Sequence, residues 1–243
     1  MDPITISAAS GLRARMDSLD MLANNLANES AGGYKADREF YSLYVAPEAA
    51  GSTPGADTLP VIEKPWTDFS QGELRSTGNP TDVAIVGNGF FTVAGTNGPL
   101  YTRNGSFRIS ASGQMMGTEG YPLQKVGGGD LTVDPSRPTD IAPDGTVSQD
   151  GTEIGQLAIA DFSKPAALAK QGHSYFQLAD PSVQPAPATG VELRQGMLEN
   201  SNVSSAEGAG RLVGVMRQFE MLKKAASLGD EMNRQAVEQM AKV

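Results

Sequence analysis

The chain has 243 residues, with 28 acidic against 19 basic side chains and a net charge of -9 at pH 7. This length suffices for one large domain or two small ones, and the negative charge argues against nucleic acid or an anionic membrane as the main partner. Cysteine is absent, which excludes disulfides and thiolate metal sites, so folding does not depend on the redox state of the compartment.

Residues 1–32 are assigned to an N-terminal helical segment that pairs with the C-terminal one, and their pattern predicts an amphipathic helix from about residue 4 to about residue 30. Its apolar residues recur at steps of three and four, and Gly32 and Gly33 supply the stop signal of a helix end. These apolar positions form what we term the N-terminal seam: Ala9, Leu12, Met16, Leu19, Ala23 and Leu26. A helix with such a seam must lay it against another surface.

The middle of the chain contains two regions that differ in amino-acid composition. Residues 33–75 are predicted to form an extended connector, because residues 41–75 are irregular and rich in Pro, Gly and Ala. Residues 76–190 are predicted to form a β-rich domain, in which short runs of Val, Ile, Phe, Tyr and Thr alternate with turn residues. The runs are DVAIV, FFTV, LYTR, SFRIS and the later GQLAIADF. Their spacing favours an antiparallel barrel or sandwich.

Residues 191–243 are assigned to a C-terminal segment whose helix spans about residues 203–240. Its apolar stripe again steps by three and four: Leu212, Val215, Phe219, Leu222 and Ala226. The predicted class is therefore α+β, in which helices at the two chain ends form a coiled-coil-like helical domain and a mainly antiparallel β-domain is inserted between them. One shared seam buries little apolar surface, so we expect both ends to become fully helical only against neighbouring copies.

Residues suited to catalysis or metal binding are few. The only histidine, His173 in QGHSYF, lies in a near miss to the G-x-S-x-G nucleophile motif that lacks the closing glycine. We interpret it as a loop or strand-edge residue and predict no metal and no cofactor. Glu119, Asp144, Asp150 and Glu153 leave open a carboxylate pair of the kind that cleaves cell-wall glycan. A further alternative is a β-domain that binds an extracellular ligand.

The start of the chain lacks the basic residues and apolar core of a cleavable secretory signal. No stretch approaches the roughly 18 apolar residues that a transmembrane helix needs. We therefore expect a protein that does not insert into a membrane, and that is either cytoplasmic or exported by a route that needs no such signal.

Four stretches together resemble the bacterial flagellar rod and hook proteins. They are LANNLANESAGGYKADREF at 22–40, TDFSQGELRSTGNPTDVAIVGNGFFTV at 67–93, YTRNGSFRISASGQMMGTEGYPL at 101–123, and QGMLENSNVSS at 195–205 followed by RQFEMLKKAASLGDEMN at 217–233. The length and the last stretch are most similar to the proximal-rod (FlgF-like) branch of the family, with the distal-rod (FlgG-like) branch as the near alternative. Gly208, Ala209 and Gly210 depart from the bulkier helix formers of many relatives.

The resemblance implies a non-enzymatic, structural axial subunit of the flagellar basal body. Such subunits leave the cell through the flagellar type III export apparatus without a cleaved signal. They polymerise with copies of themselves and with related rod and hook proteins into a rod that crosses the periplasm and transmits motor torque. No nucleic acid, cofactor or membrane insertion is implied.

The resemblance also implies that the terminal helices build an inner tube. The predicted helix–helix and subunit interface comprises Leu12, Met16, Leu19, Asn24, Asn25, Leu26, Asn28, Leu212, Val215, Phe219, Leu222 and Ala226. We expect the three asparagines to hydrogen-bond adjacent subunits, a solvated face being the alternative. Gly33 lets the backbone leave the helix sharply, and Tyr34 and Phe40 are expected to anchor the connector, within the chain or against a neighbour.

Overall fold

The computed structural model describes residues 3–39, 41–45, 58–62, 65–172 and 174–240, so that Phe40 and His173 lie outside the described residues. The chain divides into two compact units. The first comprises Met1–Ala27, Asp37–Asp68 and Ser204–Val243, and the second comprises Asn28–Ala36 and Phe69–Val203. Both ends of the chain therefore belong to the first unit, and most of the middle belongs to the second.

Two helices dominate the first unit. Helix α1 spans Pro3–Ala27 and helix α2 spans Ser205–Met240, and the two pack against each other. The hydroxyl of Ser204 accepts a hydrogen bond from the backbone N–H of Glu207 at 3.4 Å, as an N-cap residue does. Helix α1 ends at Ala27, three residues before the predicted end. The chain turns at once, because the N–H of Ala31 donates to the carbonyl of Asn28.

The described residues of the first unit also include four short strands, in a region that the sequence predicts as an extended connector. They are β1 (Asp37–Arg38), β2 (Tyr41–Val45), β3 (Thr58–Ile62) and β4 (Trp66–Thr67). Strand β2 pairs with β3 and β1 pairs with β4, both antiparallel, and α1 packs against β3. The runs YSLYV and TLPVI carry the aromatic and β-branched residues that favour strands.

The second unit is built from fifteen strands and one turn of 3-10 helix at Pro165–Ala167. All strand pairs with a recorded register in this unit are antiparallel, which confirms the predicted mainly antiparallel β-domain. The strands are β5 (Leu74–Ser76), β6 (Val83–Val86), β7 (Phe90–Gly95), β8 (Gly98–Thr102), β9 (Arg108–Ile109), β10 (Met115–Met116), β11 (Asp140–Ile141), β12 (Thr146–Gln149), β13 (Thr152–Gln156), β14 (Ile159–Asp161), β15 (Leu168–Gln171), β16 (Tyr175–Leu178), β17 (Ala186–Pro187), β18 (Glu192–Gln195) and β19 (Met197–Glu199).

A six-stranded sheet in the order β15-β16-β8-β7-β14-β17 separates two hydrophobic clusters. Successive side chains of a strand point to opposite faces, and the clusters follow that alternation. Phe91 and Tyr175 belong to the larger cluster, whereas their neighbours Phe90 and Phe176 belong to the smaller one. The aromatic rings of the smaller cluster meet edge to face, as Phe90 and Phe162 do at 5.9 Å between centroids. Both faces of the sheet are therefore buried.

Residues 191–203, which the predicted boundaries group with the C-terminal helix, contribute two strands to the second unit. Strand β18 pairs with β6, and β19 pairs with β5. Their partners lie more than a hundred positions earlier in the chain, as the pair Leu198↔Arg75 shows. The last strands of the unit thus close onto its first strands.

The larger cluster should dominate the stability of the second unit. Ile85 is fully buried in it, and we expect Ile85→Ala to lower the free energy of unfolding of this unit by about 2 to 5 kcal/mol, through lost burial and the cavity left behind. The measurement is urea denaturation followed by near-UV circular dichroism, to which the buried aromatic residues contribute. The control is Val126→Ala, at an exposed position, with an expected change within about 0.5 kcal/mol. Equal losses in both variants would contradict the assignment of the core.

Candidate functional site

The predicted stripe of α2 faces the inside of the first unit. Val215 is buried, and the other four residues of the stripe are half-buried: Leu212, Phe219, Leu222 and Ala226. Leu222 lies against Gly11 of α1, where an added Cβ would stand 3.4 Å from the Cδ1 atom of Leu222. A small residue at position 11 therefore lets the two helices approach closely.

The buried face of α1 is not centred on the N-terminal seam. Its buried residues again step by three and four: Gly11, Ala14, Ser18, Leu22 and Asn25. This line is offset by one position from the seam, which corresponds to about 100° around the helix. Within the seam, Leu12, Leu19 and Leu26 are half-buried, while Met16 and Ala23 are exposed. The seam consequently remains partly open in the single chain.

Polar contacts explain why this other face of α1 is buried. The hydroxyl of Ser18 donates to the carboxylate of Glu39. The amide of Asn25 donates to the carbonyl of Asp37 at 2.8 Å and accepts from the N–H of Asp37 at 3.0 Å. Asn25, predicted to bond an adjacent subunit, thus pairs within its own chain. Asn28 is also buried, whereas Asn24 is exposed.

Helix α2 carries a second line of apolar residues, which the sequence analysis did not identify. We term it the outer stripe; it steps by four, three and four and consists of Met221, Ala225, Leu228 and Met232. All four are exposed, and the line lies about 140° around the helix from the inward stripe. The steps were visible in the sequence, but two stripes on one helix weaken the contrast between an apolar and a polar face.

A buried ionic junction lies in the second unit, between residues far apart in the sequence. The Nζ atom of Lys35 lies 2.6 Å from the Oε1 atom of Glu199, and the Nη1 atom of Arg103 lies 3.3 Å from its Oε2 atom. Lys35 and Arg103 also donate to the carbonyls of Ser70 and Gly87, at 2.6 and 2.7 Å. Lys35 is 0% exposed and Glu199 is 1% exposed, so water contributes little to their solvation.

The junction contains two cations and one anion. Burial lowers the pKa of the Arg103 guanidinium, and the attraction of Glu199, with a smaller contribution from Asp161, opposes that shift. Glu199 is further held by the N–H of Gly72, which donates to its Oε1 atom at 2.9 Å. Because unpaired charges are costly in the interior, Glu199 is the residue on which the two cations depend.

The segment that follows α1 lies against the residues around Glu199. The N–H of Gly33 donates to the backbone carbonyl of Glu199 at 2.7 Å, and the N–H of Asn202 donates to the carbonyl of Tyr34 at 3.3 Å. The side chain of Asn202 accepts from the N–H of Ala36 at 2.7 Å. Residues 33–36 are therefore built into the second unit by backbone bonds as well as by the ion pair of Lys35.

Gly33 and Tyr34 have roles that depend on their residue type. Gly33 has φ +65°, and an added Cβ would stand 2.3 Å from the carbonyl carbon of Arg103, so the position requires glycine. Tyr34 is buried, and the Nζ atom of Lys170 lies 4.2 Å from the centre of its ring. Within the structure, Tyr34 anchors the segment to its own chain. Phe40, predicted beside it, lies outside the described residues.

The carboxylates considered for glycan cleavage are all exposed: Glu119, Asp144, Asp150 and Glu153. Hydrogen bonds from Thr146 lower the pKa of Asp144, and Asp150 pairs with Arg137 at 3.1 Å. A general acid needs a raised pKa, which comes from an apolar pocket. Within the described ranges, no group of His, Asp and Glu side chains is placed to hold a metal ion.

A groove of about 380 Å³ lies beside the six-stranded sheet. Its lining is mostly small or apolar and includes Pro99, Tyr101 and Ile159, and Lys125 is the charged residue among the lining side chains. Thr92, Tyr101, Gln124 and Lys125 contribute the polar side-chain atoms of this lining. In the described part of the chain, neither helix is both long and apolar enough to cross a bilayer.

Comparison with known proteins gives consistent matches. Residues 84–152 match the family model of the flagellar hook protein FlgE/F/G D1 domain, and residues 194–240 match that of the flagellar basal body rod FlgEFG protein C-terminal region. The chain is 33% identical to the flagellar basal-body rod protein FlgF of Caulobacter vibrioides, over 93% of this chain and 92% of the relative. It is also 33% identical to the rod protein FlgG of Borreliella burgdorferi, over 93% and 94%, and 29% identical to FlgF of Mesorhizobium japonicum, over 94% of each.

The ionic junction predicts an order of stability losses. Glu199→Gln leaves two buried cations without their anion, and we expect a loss of about 3 to 5 kcal/mol in the free energy of unfolding of the second unit. Lys35→Met leaves the Arg103–Glu199 pair intact, and we expect about 1 to 3 kcal/mol. Both are measured by urea denaturation of the full chain.

The matched control for these variants is Arg194→Met in the same unit. Arg194 pairs with Glu192 at 3.0 Å, but both side chains are about half exposed, so its removal should change stability by less than about 1 kcal/mol. A loss from Lys35→Met that equals or exceeds the loss from Glu199→Gln would contradict the proposed dependence on Glu199.

Proposed function

Because the chain belongs to the flagellar basal-body rod protein family, we propose that it is an axial structural subunit that polymerises through its terminal helices into the rod. The observation that carries the proposal is the outer stripe of α2. Four exposed apolar residues at steps of four, three and four form a continuous line, and such a pattern is typical of a helix that packs against another helix. A second copy of the chain or a related axial protein would cover it.

The open part of the N-terminal seam supports the same proposal. Met16 and Ala23 are exposed on α1 while the seam leucine between them, Leu19, is half-buried, so a neighbouring helix can complete their burial. Each terminal helix then offers one face to its own chain and another to a neighbour. We propose that the helices pair in a coiled-coil-like manner in the assembled layer, and that Asn24 restricts which neighbours fit, since polar interface groups disfavour wrong partners.

Within the family we propose the proximal rod as the place of this subunit, with the distal rod as the alternative. The relatives include proteins named FlgF and proteins named FlgG at the same identity, so the proposal rests on the chain length and on the C-terminal stretch at 217–233. Its partners would be copies of itself, related rod and hook proteins, and the flagellar type III export apparatus. Its location would be the periplasmic part of the basal body, reached without a cleaved signal.

We further propose that the protein has no enzymatic role. Its relatives are named as rod proteins, and the carboxylates considered for catalysis are exposed residues in turns and strands. The position of the β-rich domain as an outer layer of the rod, which the family resemblance implies, stays a prediction.

The outer stripe can be tested by one substitution at two positions of the same helix. Ala225→Glu puts a charge into the stripe, and Ala209→Glu puts the same charge at an exposed position outside it. In a host strain whose copy of the gene is deleted, we expect Ala209→Glu to restore swimming and Ala225→Glu to fail, because a buried unpaired carboxylate opposes association. Electron microscopy of isolated basal bodies should show rods only for the first variant.

Circular dichroism and secretion of both variants should match the wild type, which separates assembly from folding and export. Normal rods with Ala225→Glu would remove the outer stripe from the interface. A deletion strain that keeps intact basal bodies and normal swimming would contradict the proposed function itself.

The proposal also predicts how the single chain behaves in dilute solution. Amide exchange should be fast in α1 and α2 and slow in β6, β7 and β8, because the helices present apolar faces that only neighbours cover, whereas the strands lie in a closed core. Mass spectrometry of exchanged peptides from a dilute, monomeric sample measures this contrast. Helices as strongly protected as β7 would show that they need no neighbours to be stable.

A further inference from the structure

The methionines that the structure describes fall into distinct environments. Met16 of the N-terminal seam is 54% exposed, and Met221 and Met232 of the outer stripe are 63% and 71% exposed. Met216 is 49% exposed on α2 but lies about 140° around the helix from Met221. Met115 is 1% exposed in the core of the β unit. Exposed thioethers therefore concentrate on the two terminal helices.

We propose that Met16, Met221 and Met232 are three peroxide-sensitive modification sites whose oxidation controls assembly; this inference rests on the proposed rod function. The class of reagent is a hydroperoxide such as hydrogen peroxide. No such modification is needed for the subunit to assemble. The oxidation would take place at the exposed stripes while the chain is monomeric, before a neighbour covers them.

The chemistry needs no metal and no further reactant. A lone pair of the thioether sulfur attacks one oxygen of hydrogen peroxide, an S–O bond forms and the O–O bond breaks. The departing hydroxide takes the proton of the transferred oxygen, so the products are methionine sulfoxide and water. Sulfur loses two electrons and the peroxide gains them. Enzymes that reduce methionine sulfoxide reverse the change.

The consequence follows from where these residues lie. Oxidation turns a flexible apolar side chain into a polar one, which packs poorly against an apolar surface. Each stripe has four to six positions, so two sulfoxides in the outer stripe change half of its members. Oxidation at Met216 changes a residue outside the stripes and should leave the interface intact.

Because assembly would cover these methionines, their reactivity toward peroxide should differ between the single chain and the rod. Susceptibility of a methionine follows its exposure, so these three react readily in the single chain and become protected once a neighbour covers the stripes. The assembled rod should therefore resist peroxide concentrations that prevent free subunits from joining it. Met115, enclosed by the β unit, should react slowly in both states.

The experiment treats the full chain with hydrogen peroxide, removes the peroxide, and measures sulfoxide at each methionine by peptide mass spectrometry. Concentration-dependent polymerisation is then followed by sedimentation. We expect Met115 to react at least about tenfold more slowly than the three stripe methionines. We expect the concentration needed for half-maximal sedimentation to rise about tenfold or more after oxidation. Reduction of the sulfoxides should restore it.

Two variants assign the effect to the stripes. The triple variant Met16→Leu, Met221→Leu and Met232→Leu keeps size and apolarity, and it should polymerise equally with and without peroxide treatment. Met216→Leu, the control on the same helix, should stay sensitive. The inference would be overturned if the triple variant lost polymerisation after peroxide treatment. It would also be overturned if wild type with sulfoxide at all three positions polymerised normally. Either result would leave the proposed rod function intact. Failure of untreated wild type to polymerise at any concentration would overturn both.

Discussion

The ion pair between Lys35 and Glu199 is the contact on which the organisation of the second unit depends. It joins residues 164 positions apart and lies in an interior where neither charge can be solvated by water. Lys35 also binds the carbonyl of Ser70, and Asn202 donates to the same carbonyl at 3.2 Å. The second unit consists of two chain segments, Asn28–Ala36 and Phe69–Val203. One buried cluster thus ties the short segment to both ends of the long one within this unit.

The ionic junction and the terminal helices have different physical roles. The junction specifies a single geometry, because a buried carboxylate with two cations and a backbone N–H around it tolerates few alternatives. The terminal helices carry apolar stripes at helical spacing, of which only one face each is used within the chain. A subunit of a polymer needs both properties. The fold of its β unit must be settled before assembly, and the apolar surfaces of its terminal helices must remain open until a neighbour covers them.

The sequence was sufficient for the features that repeat locally. Steps of three and four predicted both helices, and alternation with turn residues predicted strands β6, β7 and β8. It did not reveal β18 and β19, because ELRQ and MLE contain none of the β-branched or aromatic residues that indicate strands. Their partners also lie more than a hundred positions away. The buried face of α1 lies one position away from the N-terminal seam. Ser18 and Asn25 are buried because they form hydrogen bonds, which a pattern of apolar residues does not indicate. No local sequence pattern indicates that Lys35 pairs with Glu199, because the two residues lie 164 positions apart.

The presence of methionine in the stripes suits a rod subunit, which would have to pack against several different neighbours. A tube built from related but different proteins presents neighbours that are similar without being identical, and the two ends of one layer meet different partners. Methionine has an unbranched, polarizable side chain that adapts to irregular surfaces, and Met16, Met221 and Met232 place it where such neighbours would dock. Leucine would pack as tightly against one partner but less well against several. In the assembly that we propose, the flexible thioether would let one surface pack against several different neighbours. The same group would react with peroxide until a neighbour covers it, so adaptability and chemical sensitivity would come from the same side chain.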